Sequence, residues 1–486
     1  MILVVDVGTT SVRAAVMTPE GSIAHFEQRP SPPDSPFPGL VEFDAAVMAA
    51  TVIDLCNSAI RQAGPVSAVG VTTQRASTIA WNRTTGRPLA SGLGWQDLRT
   101  VGDCLTIGAE HGVQVAPNQT ATKAKWLLNT LDESMLNDVC IGTVDSWVVW
   151  ALSSGTAHIT DHTNAAVTGL YSPASGTWDD RLCTMFGVPM EMLPTIVDSV
   201  GECAHATALT GAPPIVAVVG DQQGSLVGQG CVAPGPAKIT FGTGGMLDLC
   251  VGDDVNLIAR SRRGEHGCFG IVAWSESGRR TFGAEAIMLA AGSNIDWLRD
   301  DLRIVSSSAE THTLAATCET SEGVIFVPAP LGLGTPHWDY GARSTLVGLT
   351  RGSTAAHVVR AVLEGVAHRG ADLVEAAERD TGISIEVVRV DGGMSKNPTF
   401  VQALADFTGR TVEVSPHAEG TTIGAGRLAL VGSGQVHSVS DTSELWEPSE
   451  TIVPRQAVDR NEQRGRWAEA VARSSHWIPE LSGLDF

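Results

Sequence analysis

The sequence predicts an α/β protein in which one architectural unit is built twice. Three observations carry that prediction. Short apolar runs of strand length alternate with helical stretches along most of the chain, the pattern of layered α/β domains. An opening design of apolar run, Gly/Thr turn and apolar run returns near residue 245. The chain has 486 residues, of which 43% are hydrophobic and 17% charged, enough for two or three cores of ordinary size.

The first unit opens with Ile2–Asp6, a β-rich run ending at Gly8-Thr9-Thr10, and Val12–Met17 follows at once. Two apolar runs joined by such a turn read as a β-hairpin. Ala45–Ala63 has helical patterning and Val66–Thr72 reads as a strand. Residues 73–100 form a polar stretch rich in Gln, Arg and Trp, longer than a plain connector and therefore a functional candidate. A proline-rich break at 211–214 precedes the strand Ile215–Gly220 and Asp221-Gln222-Gln223-Gly224. Ala237–Phe241 and Met246–Val251 then flank Gly242-Thr243-Gly244-Gly245, repeating the opening. The second unit continues through helical stretches at Ala284–Arg303, His357–Asp380 and Pro398–Gly409, with a strand Ile385–Val390 running into Asp391-Gly392-Gly393. We divide the chain at 1–245, 246–435 and a polar extension 436–486, in which Trp446 and Trp467 are packing anchors.

Composition narrows the function. Lys and Arg number 32 against 53 Asp and Glu, a formal charge of −21. Nucleic acid rewards clustered cations by counterion release, and anionic membranes attract basic segments, so neither is an expected partner. An anionic ligand must be held by backbone N–H groups or a few placed cations. The nine cysteines show no C-x-x-C spacing, and no stretch of about 18 apolar residues occurs, so reduced thiols in a cytoplasmic protein are expected. The first residues lack a basic region and a cleavage site, so no secretory signal is expected.

Several motifs bear on phosphate. A Walker P-loop is absent. Gly424-Ala425-Gly426-Arg427-Leu428-Ala429 imitates a dinucleotide fingerprint but lacks the strand before it and the acid after it, so helix packing by small residues explains it better. The two Gly/Thr turns are stronger candidates. Gly permits close backbone approach, successive N–H groups form an anion-binding concavity, and hydroxyls add donors without charge. An Asp just before the first turn, Asp6, can hold Mg²⁺ beside phosphates. One such turn alone reads as an ordinary hairpin; two, with Asp391-Gly392-Gly393 at a strand end, favour a phosphate site.

These residues resemble the FGGY family of carbohydrate kinases, within the class sharing the actin and hexokinase fold. Asp6-Val7-Gly8-Thr9-Thr10-Ser11-Val12-Arg13 is similar to the family's first phosphate motif. Gly220-Asp221-Gln222-Gln223 and Phe241-Gly242-Thr243-Gly244 are similar to the glycerol kinase branch. Residues 332–339, 344–364 and 391–397 also match family motifs, and the likeness runs from residue 1 to about 430. The resemblance implies a two-domain α/β actin/hexokinase-like ATPase fold, two ribonuclease-H-like domains with a central cleft, closing over ATP-Mg²⁺ and a small sugar or polyol. It implies Asp221 as general base and Asp6 as the metal-positioning residue. Arg75, Trp95, Asp97, Asp221 and Gln222 would line the acceptor side. Thr9, Thr10, Ser11, Arg13, Gly242, Thr243, Gly292, Asp296, Gly393 and Asn397 would contact the nucleotide. Family members are often homodimers.

Departures from that pattern bear on the acceptor. Glycerol kinases carry Arg-Glu where this chain has Arg75-Ala76, a Tyr at Asn118 and a Phe at Met246; xylulokinases show Gln-Met-His-Gly at 74–77. Smaller Ala76 and Asn118 favour a four- to six-carbon polyol or ketose over glycerol. For Asp221 the plainer alternative is a helix cap. His158 and His162 lie four apart like a metal pair on a helix, or belong to a structural stretch near the cleft. Arg260-Ser261-Arg262-Arg263 is a solvated loop or a nucleotide contact. Two other classes compete with a kinase: a silent sugar-binding relative, against which Asp6, Thr10, Asp221 and Thr243 all stand, and a partner-driven ATPase, which would not need Arg75, Trp95 and Asp97.

Overall fold

The computed structural model describes residues 1–256, 263–456 and 459–484. Its first hairpin is β1 (Ile2–Val7) and β2 (Ser11–Met17), continued by β3 (Ile23–Pro30). Helix α1 (Ala45–Ala63) follows, its first turn capped by Asp44 Oδ1, which accepts from Ala46 and Val47 N–H at 2.8 and 3.0 Å. Then come β4 (Ala68–Thr73), β5 (Val200–His205), β6 (Pro214–Gly220) and α2 (Asp221–Gly228). The second half is β7 (Ala237–Phe241), β8 (Gly245–Gly252), β9 (Phe269–Glu276), β10 (Arg279–Met288), α3 (Ala355–Thr381), β11 (Val387–Asp391), α4 (Pro398–Thr408), β12 (Thr411–Val414) and α5 (Gly420–Gly432). Within the extension lie β13 (Glu450–Ile452) and α6 (Arg460–Ser474).

These strands form one 13-stranded sheet in the order β13-β12-β11-β7-β8-β10-β9-β5-β6-β4-β1-β2-β3. Each half contains the same five-strand pattern. In the first, β3, β2 and β1 are antiparallel, and β4 and β6 add in parallel beside β1. In the second, β10, β8 and β7 are antiparallel, and β11 and β12 add in parallel beside β7. The repeat seen in the sequence is therefore a repeat of topology. The halves meet at β5 and β9, joined by the single pair Val200–Glu276. Ser199 N–H donates to Ser275 Oγ at 2.8 Å and Ser275 N–H returns to Ser199 Oγ at 3.0 Å.

Strands flanked on both faces need continuous apolar runs, and Ile2–Val5 are fully buried. Helix α5 belongs to the second half in sequence but packs on β1, β4 and β6, where Ile423, Ala425, Leu428 and Ala429 cover Ile2, Val4, Ala68 and Val219. It also crosses α2 at backbone contact. A Cβ built on Gly424 would lie 1.7 Å from the Gly224 carbonyl oxygen, and one on Gly228 would lie 1.9 Å from that of Gly420. The fingerprint-like run at 424–429 is thus a helix-packing surface.

Two readings change. Ala284–Arg303 is not one helix: residues 279–288 are strand β10, and a short helix begins only at Ser293. The alanine-rich run favours a helix locally, but β10 fills the place between β8 and β9, and tertiary pairing overrides propensity. Within 73–100, Thr78–Asn82 and Gly92–Leu93 join a separate four-stranded sheet. The extension packs on the second half: Trp446 and Trp467 are both buried, and β13 pairs with β12. No helix among the described residues is long and apolar enough to cross a membrane.

Candidate active site

The first Gly/Thr turn connects β1 to β2, with Gly8 N–H donating to Ser11 O at 3.0 Å. A side-chain relay fixes it to the segment after β4. Gln74 Nε2 donates to Gly8 O, Ser77 Oγ donates to Gln74 Oε1, and Trp95 N–H donates to Ser77 Oγ at 3.0 Å. Trp95 Nε1 donates back to Thr9 Oγ1 at 3.0 Å, so an indole 39% exposed ties the segment after β4 to the turn. Lys123 is fully buried and donates to the carbonyls of Trp95 and Asn118; burial pushes its amine down to about 7.

Asp6, next to last in β1, is almost wholly buried. Its Oδ2 accepts from Thr422 Oγ1 at 2.7 Å and from Arg13 Nη1 at 3.2 Å, and Arg13 Nε lies 3.3 Å from Glu419. Burial raises the Asp6 carboxyl above the ordinary range against the pull of Arg13 and Thr422. Asp221 is the first residue of α2 and has Gly220 as its cap, so it does not act as the helix cap itself. Thr163 Oγ1 accepts the Gly220 N–H at 2.8 Å, and Thr421 Oγ1 donates to the Asp221 carbonyl at 3.2 Å. Burial likewise raises the Asp221 carboxyl, with Arg75 and Lys238 pulling down and Asp6 adding to the rise.

Arg75 lies between Asp221 and the second half. Its Nε is 3.5 Å from Asp221 Oδ1, its Nη2 is 2.7 Å from Glu285 Oε2 and 3.7 Å from Met246 Sδ, and its Nη1 is buried with no hydrogen-bond partner. The following residue, Ala76, adopts φ 62°, a region costly for a residue with a side chain. Its carbonyl accepts from Thr78 and Thr120 hydroxyls, which hold the turn that aims Arg75. Gln222 Oε1 accepts from Lys238 Nζ at 2.8 Å.

The second Gly/Thr turn, between β7 and β8, is braced by the loop after β10. Ala291 N–H donates to Thr243 O and Gly292 N–H to Gly242 O, both at 2.8 Å. A Cβ on Gly292 would meet Gly242 O at 2.6 Å, so this approach requires glycine. Gly392, φ 87°, packs on Phe241, and Gly393 beside it is exposed with open space around its Cα. Gly242, Thr243, Gly292 and the Gly392-Gly393 turn thus gather at the end of β7.

Three of the expected contact residues already have partners within the chain. Asp97 is fully buried, its oxygens accepting from Val41 N–H, Arg99 N–H and the Arg99 guanidinium, so it anchors its loop instead of facing an acceptor. Asn397 spends its side chain capping α4 through Phe400 N–H and donating to Thr311. Asp296 is exposed and pairs with Arg299 at 3.0 Å. His158 and His162 are not on one helix, since Ile159–Asp161 is a strand; they contact Ile141 O and Tyr171 Oη. Among the described residues no group of three or more His, Cys, Asp or Glu could hold a metal. Arg260-Ser261-Arg262 lies outside the described residues, and Arg263 packs 4.4 Å from the Trp338 ring centroid.

Sequence reasoning missed Glu285, Lys238 and Asp248. Their signal was present: single charges inside apolar strand runs, a pattern that costs free energy unless the charges meet. Mg²⁺ asks for hard oxygen donors, one or two carboxylates alongside phosphates and water. The buried Asp6 carboxylate beside the first Gly/Thr turn is one such donor, and the buried Asp391 Oδ1 at the end of β11 carries no hydrogen bond, so the donor chemistry suits the ion.

Residues 1–228 match the model of the FGGY family of carbohydrate kinases, N-terminal domain, and residues 237–433 match that of its C-terminal domain. The chain is 38% identical to a glycerol kinase of Deinococcus radiodurans over 98% of each chain. It is also 38% identical to a glycerol kinase of Aromatoleum aromaticum, over 98% of this chain and 99% of that one. Among solved structures, Plasmodium falciparum glycerol kinase with ADP superposes with a TM-score of 0.90 at 27% identity, covering 98% of both chains. Xylulose kinase from Rhodospirillum rubrum shares the fold at 21% identity, with a TM-score of 0.86 over 99% of each chain.

Proposed function

The chain belongs to the FGGY family of carbohydrate kinases, and from that premise we propose that it transfers the γ-phosphoryl of ATP to a hydroxyl of a four- to six-carbon polyol or ketose. The observation that supports this most is a buried Asp221 at the start of α2, 3.5 Å from Arg75, which itself reaches Glu285 of the second half.

In this reading Asp221 accepts the proton of the attacking hydroxyl as in-line transfer proceeds, and its raised affinity for a proton suits it to that task. Arg75 Nη1 donates to an acceptor oxygen, and Trp95 packs its ring on the carbon side of the acceptor. Thr9, Thr10, Ser11 and Arg13 receive the phosphates from one side, with Gly242 and Thr243 from the other; Gly393 and Gly292 lie toward the rest of the nucleotide. Asp6 would hold Mg²⁺ through water. When bound, the ion neutralises charge on the phosphate oxygens. Closure of the halves excludes water that would otherwise hydrolyse ATP.

Ala76 and Asn118 argue for an acceptor larger than glycerol, because a lost hydroxyl-binding group costs about 1–3 kcal/mol of recognition. The second reading, glycerol itself, is favoured by the names of the relatives at 38% identity. A coupled ADP-release assay across glycerol, tetritols, pentitols, hexitols and ketoses decides. A larger polyol is expected to lead, whereas glycerol turned over with the larger acceptors inert would refute the enlarged pocket. Asp221→Asn should lower kcat about 10²–10⁴-fold while nucleotide binding persists. A near-normal rate would remove Asp221 from the mechanism.

A further inference from the structure

Beneath Asp221, side chains from both halves form one row of charge. Strands β7, β8 and β10 lie side by side, and their register sets Lys238 opposite Asp248 and Asp248 opposite Glu285. Residues directly opposite point to the same face, so the three charges stand together at strand spacing. Lys238 Nζ lies 2.7 Å from Asp248 Oδ2, both side chains fully buried. Arg75, crossing from the first half, closes the other end on Glu285 at 2.7 Å.

Two carboxylates directly opposite on a sheet repel, and burying them unpaired is costly. The row survives because a cation stands at each end, and Arg75 has its charge matched before any acceptor arrives. The cations beside Asp221 and the first turn are committed as well, Lys238 to Asp248 and Gln222 and Arg13 to Asp6 and Glu419, while Lys123, behind Trp95, spends its amine on the Trp95 and Asn118 carbonyls. What Arg75 keeps is one buried, partnerless nitrogen, Nη1, able to donate to a neutral hydroxyl oxygen. An acceptor carboxylate placed there would find no uncommitted cation among these and would face Asp221.

We propose that Glu285 is the specificity-determining residue of the acceptor site, reserving it for uncharged polyols or ketoses and turning away sugar acids by neutralising Arg75 from the opposite half. The inference rests on the acceptor-site reading of Arg75 and Asp221. It makes Glu285 a positioning residue, since it acts through Arg75.

The test compares alditols with the aldonates of the same skeleton: xylitol with xylonate, ribitol with ribonate, glucitol with gluconate. For the wild type, kcat/KM for the aldonate should fall at least about tenfold below that of its alditol, the lower bound for a mismatched charged contact. Glu285→Gln should raise the aldonate-to-alditol ratio about tenfold or more, through the aldonate KM, with the KM for ATP unmoved. Glu285→Asp, which keeps the charge, should retain the wild-type ratio. A wild type that uses an aldonate as well as its alditol overturns the proposal, and so does a Glu285→Gln ratio equal to wild type. The wild-type comparison stands if Glu285→Gln does not fold. No ADP release with any acceptor would instead sink the kinase reading. Calorimetric binding of the same pairs then decides on Glu285, with equal binding, aldonate-preferring binding or none counting against it.

Discussion

The crossing of α2 and α5 makes the sharpest mechanical prediction. Replacing Gly424 by Ala adds one methyl carbon, and its position is 1.7 Å from the Gly224 carbonyl oxygen. Ordinary van der Waals contact begins at 3.4 Å, so α5 must retreat by about 1.7 Å or α2 must bend. Neither is free, because the first turn of α5 carries Thr421 and Thr422. These hold the Asp221 carbonyl at 3.2 Å and Asp6 Oδ2 at 2.7 Å, and a shift of that size takes both beyond hydrogen-bond length. Overpacking of this kind costs about 1–3 kcal/mol, set against a helix-propensity gain of about 1 kcal/mol for Gly to Ala. We expect a net loss of stability together with a clear loss of kcat. Gly465→Ala supplies the control: it lies within α6 with nothing near its missing Cβ, so the same change should gain about 0.5–1 kcal/mol. Thermal melts and steady-state kinetics on the two variants make the comparison. If Gly424→Ala melts with the control and keeps wild-type kcat, the backbone contact and its coupling to the two aspartates are wrong.

Three further outcomes follow from the same geometry. As the proposed base, Asp221 acts deprotonated, and burial raises its carboxyl, so kcat/KM should fall with decreasing pH along a limb centred above the ordinary Asp value of about 3.9. Arg75→Met should move that limb to higher pH by removing the largest downward pull; a limb that stays put in the variant contradicts the pairing. Asp97→Ala should act first on stability, by about 1–3 kcal/mol in a denaturant melt, because Arg99 and the Val41 N–H lose their buried partner; an unchanged melt with a raised acceptor KM would restore Asp97 to the acceptor site. Trp467→Ala should cost about 3–5 kcal/mol, since the indole is buried, stacks 4.9 Å from His368 and donates to Asp372 at 3.1 Å; a melt like wild type would show the extension dispensable.

What the sequence revealed, and what it hid, divides along physical lines. Local signals were legible: Ala45–Ala63 is a helix with the bounds its pattern predicts, and both Gly/Thr turns join antiparallel strands. Glycine spacing at 424–426 was correctly read as packing, although its partner, the Gly224–Gly228 edge of α2, could be known only from the fold. Ala284–Met288 misled because alanine-rich composition favours a helix while β8 and β9 together claim it as a strand. Asp97 misled for a different reason. A carboxylate in a long polar loop reads as a ligand contact, yet its environment is decided by Arg99, two residues on, and by Val41, 56 residues back. Glu285 stood out only as a lone charge in an apolar strand run, and its partner Arg75, 210 residues away, could be known only from the fold.

Helix α5 also has a bearing on how the chain is made. It lies some 200 residues after α2, yet it roofs the apolar face of β1, β4 and β6. Leaving the ribosome at about 5–20 residues per second, the first half would wait roughly 10–40 s for its own cover. During that interval Ile2, Val4, Ala68 and Val219 stand uncovered on that face, an invitation to chaperones or to neighbouring nascent chains. A fragment ending at the family's first domain, near residue 228, should therefore aggregate alone and be rescued by supplying the second half in trans. Chain order and folding unit do not coincide here, and the last helix of the catalytic body completes the first sheet.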